Sequence, residues 1–130
     1  MQKIETPQGI FEYDGNGLLI VTLADDFELN LEDVKKQREI AYSFHKGKPN
    51  VVLAVTGLRT TATEKARKYA SSNIPEGRIA EALVIKSLSV RLMGNFYLNF
   101  HKPAVPTKMF GNKEEALIWL KEKLAAKNKF

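Results

Sequence analysis

Cysteine is absent from this chain of 130 residues. Disulfides, thiolate ligands and a cysteine nucleophile are therefore excluded, and the composition gives no sign of an oxidising compartment. Histidine is almost as scarce. His45 and His101 stand far apart, with neither a second His nor a Cys nearby in sequence, so a zinc site has no ligand set to draw on; each reads as a helix-terminal residue. No stretch reaches the roughly 18 apolar residues of a membrane span, and the start MQKIETPQGIFEY lacks the apolar core of a signal peptide. The expectation is a cytoplasmic protein with no integral membrane segment.

Catalytic signatures are missing as well. Thr56-Gly57-Leu58-Arg59-Thr60-Thr61 contains one glycine and no Gly-Lys-Ser/Thr ending, so it makes no phosphate cradle. No Ser or Thr has the surroundings of a nucleophile elbow. Asp25-Asp26-Phe27-Glu28, followed by Asn30, Glu32 and Asp33, lacks the glycine and spacing of a calcium loop and reads as an acidic helix start. The chain is read as having no catalytic residue, no metal and no cofactor, and as not being an enzyme.

What is present suits one ordinary folded domain spanning residues 1–130. Hydrophobic residues make up 44% and charged residues 27%, away from both disorder and low complexity. The net charge of +5 would suit an anionic partner if it were concentrated. Instead Lys35, Lys36 and Arg38 lie among Glu32, Asp33 and Glu39, and Lys121 and Lys123 alternate with Glu114, Glu115 and Glu122. Such mixing describes solvated helix faces rather than a nucleic-acid footprint, so no nucleic-acid partner is expected.

Along the chain, 9–13 (GIFEY) and 18–24 (LLIVTLA) flank Asp14-Gly15-Asn16-Gly17, a strong hairpin signal. Asn30 can cap a helix from Leu31 to about Lys46, ended by Gly47 and Pro49. VVLAV, 51–55, reads as a strand covered on both faces, followed by a helix from Thr63 to about Ser72. A further strand at 79–86, a helix at 89–100, a short edge strand at 107–110 and a helix capped by Asn112 complete the order ββαβαβαβα. The fold class is α/β, with a mixed sheet of about five strands and about four helices.

Two segments could carry function. Thr60, Thr61 and Thr63 precede the second helix, where a hydroxyl can cap, bind an anion or accept a phosphoryl group. Capping by Thr61 or Thr63 is the plainest of these readings. The helix at 89–100 carries Val90, Met93, Tyr97 and Phe100 on one stripe with Leu92 and Phe96 beside it, more apolar circumference than one buried face requires. That surplus could pack on the last helix near Trp119, meet a protein partner or second copy, or wall a site for an apolar ligand or membrane interface. The candidate surface is Arg91, Met93, Phe96, Tyr97 and Phe100. Gly94 at mid-helix gives up about 1 kcal/mol relative to alanine, which suggests a close approach by another element or a ligand.

Ala66-Arg67-Lys68-Tyr69, Arg91-Leu92-Met93-Gly94-Asn95-Phe96, Lys102-Pro103-Ala104-Val105-Pro106 and Phe110 followed by Ala116-Leu117-Ile118-Trp119-Leu120 carry a resemblance. With these segments and this element order the chain resembles small bacterial proteins of the SpoIIAA-like class, also called STAS/SEC14-domain proteins. The resemblance implies a mixed sheet of the anti-sigma-factor-antagonist type, and a regulatory or protein-interaction module rather than a catalyst. Better-understood members of the wider class are switched by phosphorylation of a serine in Asp-Ser-Ser-Gly after the third strand. Here that place holds Val55-Thr56-Gly57-Leu58-Arg59-Thr60-Thr61, without the aspartate or the serine pair. The SEC14 likeness implies the alternative role, a carrier or sensor of an apolar or lipid-like molecule bound beside helix 89–100.

Overall fold

The computed structural model describes residues 1–100 and 103–128, apart from the side chains of Phe100 and Asn128. The expectation for His101 therefore falls outside the described residues. The chain begins with three antiparallel strands, β1 (Gln2–Thr6), β2 (Gly9–Tyr13) and β3 (Leu18–Leu23). Between β2 and β3 the Asp14 carboxylate accepts hydrogen bonds from the Asn16 and Leu18 amides at 2.7 and 3.0 Å. Gly15 and Gly17 there hold φ of +82° and +102°, a region that glycine enters without strain.

A two-residue strand β4 (Glu28–Leu29) precedes helix α1 (Leu31–His45). Asn30 and Asp33 form a reciprocal capping box at its start, and Lys46 in the left-handed region closes its end. Next come β5 (Asn50–Val55), the two-residue β6 (Thr61–Ala62) paired with β4, and α2 (Glu64–Ser72). The chain ends with β7 (Arg78–Val84), α3 (Leu88–Phe100), β8 (Thr107–Phe110) and α4 (Lys113–Asn128).

The main sheet runs β1-β2-β3-β5-β7-β8, with β3, β5, β7 and β8 parallel. Each parallel step moves the same way across the sheet, so right-handed crossovers bring α1, α2 and α3 to one side. α4 follows the last strand and covers the other. Strand alternation divides the core accordingly. Leu18, Ile20, Val51, Leu53 and Ala82 meet Ala116 and Leu120 of α4, while Leu19 and Val21, with Phe11 and Tyr13, meet Ala41 of α1.

Six strands, rather than the five expected, form this sheet, and the addition is β1. Residues 1–5 are exposed, and a strand held by backbone pairing along an edge leaves little hydrophobic pattern in its sequence. The pair β4 and β6 also went unforeseen, since two-residue strands have no period to read.

β7 contains the irregularity that matters most for the interior. Asn50 pairs with Arg78 but Val51 pairs with Ala80, so Ile79 is an extra residue, a β-bulge. In a regular strand residues three apart face opposite sides. Here the bulge returns Arg78 to the side of Glu81 and Leu83, beneath α1 and α2, while Ile79 packs with the α4-side core.

Candidate functional site

The three threonines stand within four residues and do three different things. The Thr60 hydroxyl donates to the Ala24 carbonyl at 2.8 Å, fastening this loop to the end of β3. Thr61 is exposed in β6, and its amide donates to the Phe27 carbonyl at 2.9 Å. Thr63 is the N-cap of α2, its hydroxyl accepting from the Ala66 amide at 3.1 Å. Around them the Asp25 carboxylate accepts from the Leu58 amide at 2.7 Å, and Asp26 pairs with Arg59. A methyl group on Gly57 would lie 2.5 Å from the Asp25 carboxylate, so this glycine is where the two loops touch.

Helix α3 shows an inverted distribution of side chains. Leu88, Val90, Leu92, Met93, Phe96 and Tyr97 are all exposed, from 47% at Val90 to 73% at Met93. The less exposed positions are Arg91, Gly94, Asn95 and Leu98, an i, i+3, i+4, i+7 stripe of small, polar and single apolar residues. Its main neighbour is β8, where a methyl group on Gly94 would meet the Met109 sulfur at 2.2 Å. Gly94 is thus the point of close approach expected from the sequence, and the element approaching is a strand.

Asn95 completes that contact. Its amide donates to the Met109 carbonyl at 3.1 Å and accepts from the Met109 amide at 2.9 Å. Met109 lies in the last strand of the sheet, so the side chain pairs with backbone groups on the open edge as a neighbouring strand would. Arg91 is drawn inward as well. Its guanidinium donates to the Ile85 and Lys86 carbonyls, both at 2.8 Å, and lies against Gly111. The surface group expected from the sequence therefore divides: Met93, Phe96 and Tyr97 face outward, and Arg91 ties α3 to the end of β7. The side chain of Phe100 lies outside the described residues. Beside α3, Asn95, Leu98 and Asn99 share an open hollow with the 103–108 loop and Trp119, whose ring lies 5.6 Å from that of Phe110.

A second hollow lies beneath α1 and α2. Its volume is about 250 Å³, and its walls are mostly apolar, among them Leu19, Val21, Val34, Val52, Ala66 and Leu83. Arg38, Arg67, Arg78, Glu81 and Gln37 complete the lining. Arg38 donates to the Ala70 carbonyl at 3.0 Å and to that of Asn73, holding the end of α2 to α1. Arg78, its side chain only 6% exposed, donates to the Glu81 carboxylate at 2.6 Å and the Asn50 side chain at 2.7 Å. Burial holds the Arg78 guanidinium below its ordinary value, Glu81 opposing as charge and acceptor while Arg38 adds to the fall. Arg38 is lowered for the same first reason, with Glu81 and Tyr69 pulling upward. The Gln37 amide nitrogen is buried with no hydrogen-bond partner among the described residues.

This cavity is the feature that sequence reasoning missed. Its walls come from α1, α2 and six strands, β2 to β7, and the bulge that places Arg78 there follows no local motif. His45 lies buried at the end of α1, its Nδ1 accepting from the Gly47 amide at 3.0 Å. Burial, then the charge of Arg78, keeps its imidazole below the ordinary value, against Glu76. Among the described residues no three of His, Cys, Asp and Glu stand close enough to hold a metal ion. Among them, too, no helix is long and apolar enough to cross a membrane.

A family model described as "Domain of unknown function (DUF7793)" matches residues 11–124. No curated protein matches the chain. Among solved structures, the chain is similar to an uncharacterized protein of the DUF3478 family with a SpoIIAA-like fold from Shewanella loihica PV-4. Identity is 17% and the TM-score 0.58, over 92% of this chain and 90% of that one. At that identity the likeness shows the fold alone: SpoIIAA-like, as the sequence resemblance implied.

Proposed function

The chain belongs to the DUF7793 family, and from that premise we propose that it is a non-enzymatic interaction module whose contact surface is the outward face of α3 and whose partner is a second copy of itself. The exposure of six large apolar side chains along that one helix carries the reading. Contiguous apolar surface of this kind usually marks a place where another surface docks. The choice of a second copy rests on charge. A net charge of +5 opposes self-association in general. Within Leu88–Phe100, however, Arg91 is the only charged residue, and its guanidinium is held on backbone carbonyls, so two copies can meet here without bringing cations face to face.

Sedimentation equilibrium of the whole chain tests this. The wild type should dimerise reversibly, and Met93→Glu and Phe96→Glu should each give a folded monomer whose melting temperature matches that of the wild type diluted below its dimerisation range. A monomeric wild type, or a dimer indifferent to both substitutions, overturns the proposal.

A further inference from the structure

Beneath α1 and α2 the lining of the cavity carries charge that does not balance. Arg38, Arg67 and Arg78 line the cavity, and Glu81 is the one carboxylate among its lining residues. Glu81 is already engaged by Arg78 at 2.6 Å. A guanidinium as deeply buried as Arg78 is strongly disfavoured unless its charge is answered, and a second cation nearby deepens the deficit. The hydrogen bonds of Arg78 run from Nε to Asn50 and from Nη1 to Glu81. The Gln37 amide nitrogen is a buried donor without an acceptor among the described residues. A buried donor with no acceptor, beside an excess of positive charge, describes one half of a binding site.

The other half is apolar. Leu19, Val21, Val34, Val52 and Leu83 form walls that offer a ligand no hydrogen bond. A cavity of about 250 Å³ exceeds the roughly 150 Å³ that admits benzene, and falls just below the size of ordinary small-molecule pockets. Exposed Arg67 belongs to its lining, so the space reaches the surface. From these observations we propose that the cavity between α1, α2 and the sheet binds a small amphipathic anion, a short apolar body carrying one carboxylate, with the carboxylate toward Arg38, Arg78 and Gln37. The site is separate from the outward face of α3 and does not rest on its role.

Titration of the isotope-labelled whole chain with octanoate, followed by amide NMR, tests the proposal, with octanol as the neutral probe of equal length. Octanoate should produce saturable shifts at Gln37, Ala66 and Leu83 while Met93 and Phe96 stay still, and octanol should bind at least tenfold more weakly. Ala54→Leu, which adds bulk to the cavity wall, should abolish the shifts without unfolding the chain, and Arg38→Gln should weaken octanoate about tenfold more than octanol. No saturable shift with octanoate overturns the site, and so do shifts centred on α3 or an Ala54→Leu variant that binds normally. Equal affinity for the two probes overturns the anionic head. If Arg38→Gln does not fold, the comparison of probes on the wild type decides that point.

Discussion

Helices α3 and α4 follow one another in the chain, flank the same edge strand and solve opposite problems. α4 buries Ala116 and Leu120 completely and turns Glu114, Glu115, Lys121 and Glu122 to solvent. α3 does the reverse: it turns a glycine and an asparagine toward β8 and an arginine toward the end of β7, and leaves its large apolar side chains outside. α4 is held mainly by the hydrophobic effect, whereas α3 is held by directional hydrogen bonds from Asn95 and Arg91 and by close contact at Gly94. An apolar stripe therefore shows that a helix has something to cover without saying that its own domain does the covering.

This contrast can be broken or sharpened by experiment. Leu120→Ala should have the largest effect, a loss of about 3 kcal/mol in chemical denaturation, because a fully buried leucine leaves a cavity behind. A loss under about 1 kcal/mol would mean that α4 is not the packed helix of the pair. Asn95→Ala should cost about 1–2 kcal/mol, since two hydrogen bonds go and the Met109 backbone groups are left without partners. It should also speed amide hydrogen exchange at Met109, a change that a purely local loss of helix stability would not produce.

Gly94→Ala should be nearly neutral in the wild type, because the helix propensity gained is offset by the overlap with Met109. In a Met109→Ala background the same change should stabilise by about 1 kcal/mol. Equal effects in both backgrounds would show that Met109 does not limit the approach. The smallest effect belongs to Phe96→Ser, expected within about 0.5 kcal/mol of wild type in the monomer, as for surface positions generally. A loss like that of Leu120→Ala would mean that α3 belongs to the core after all.

Much of the fold could be read from residue patterns. The hairpin at Asp14–Gly17, the Asn30 cap, the doubly covered β5 and the span of β8 all rest on local signals, and the structure repeats them closely. β1 escaped because its side chains, largely exposed, carry no alternation. At the candidate sites legibility was lower. The excess apolar surface of α3 was visible, yet the inward turn of Arg91 depends on carbonyls at the end of β7, which no spacing announces. The cavity was invisible because its polar residues lie on α1, α2 and β7, brought together only by tertiary packing and by one extra residue at Ile79.

That extra residue sets a frame for everything before it in the strand. Were β7 to keep Ile79 but pair without the bulge, Arg78 would exchange sides of the sheet and place its charge against Ala116 and Leu120, away from Glu81 and Asn50. At constant strand length, the bulge and the side chain at position 78 are consequently not free to vary separately. A lineage that straightened β7 without shortening it would have to change the residue at position 78 in the same step, whereas one that deleted Ile79 would keep Arg78 beside Glu81 and lose only the packing of Ile79 against the α4-side core.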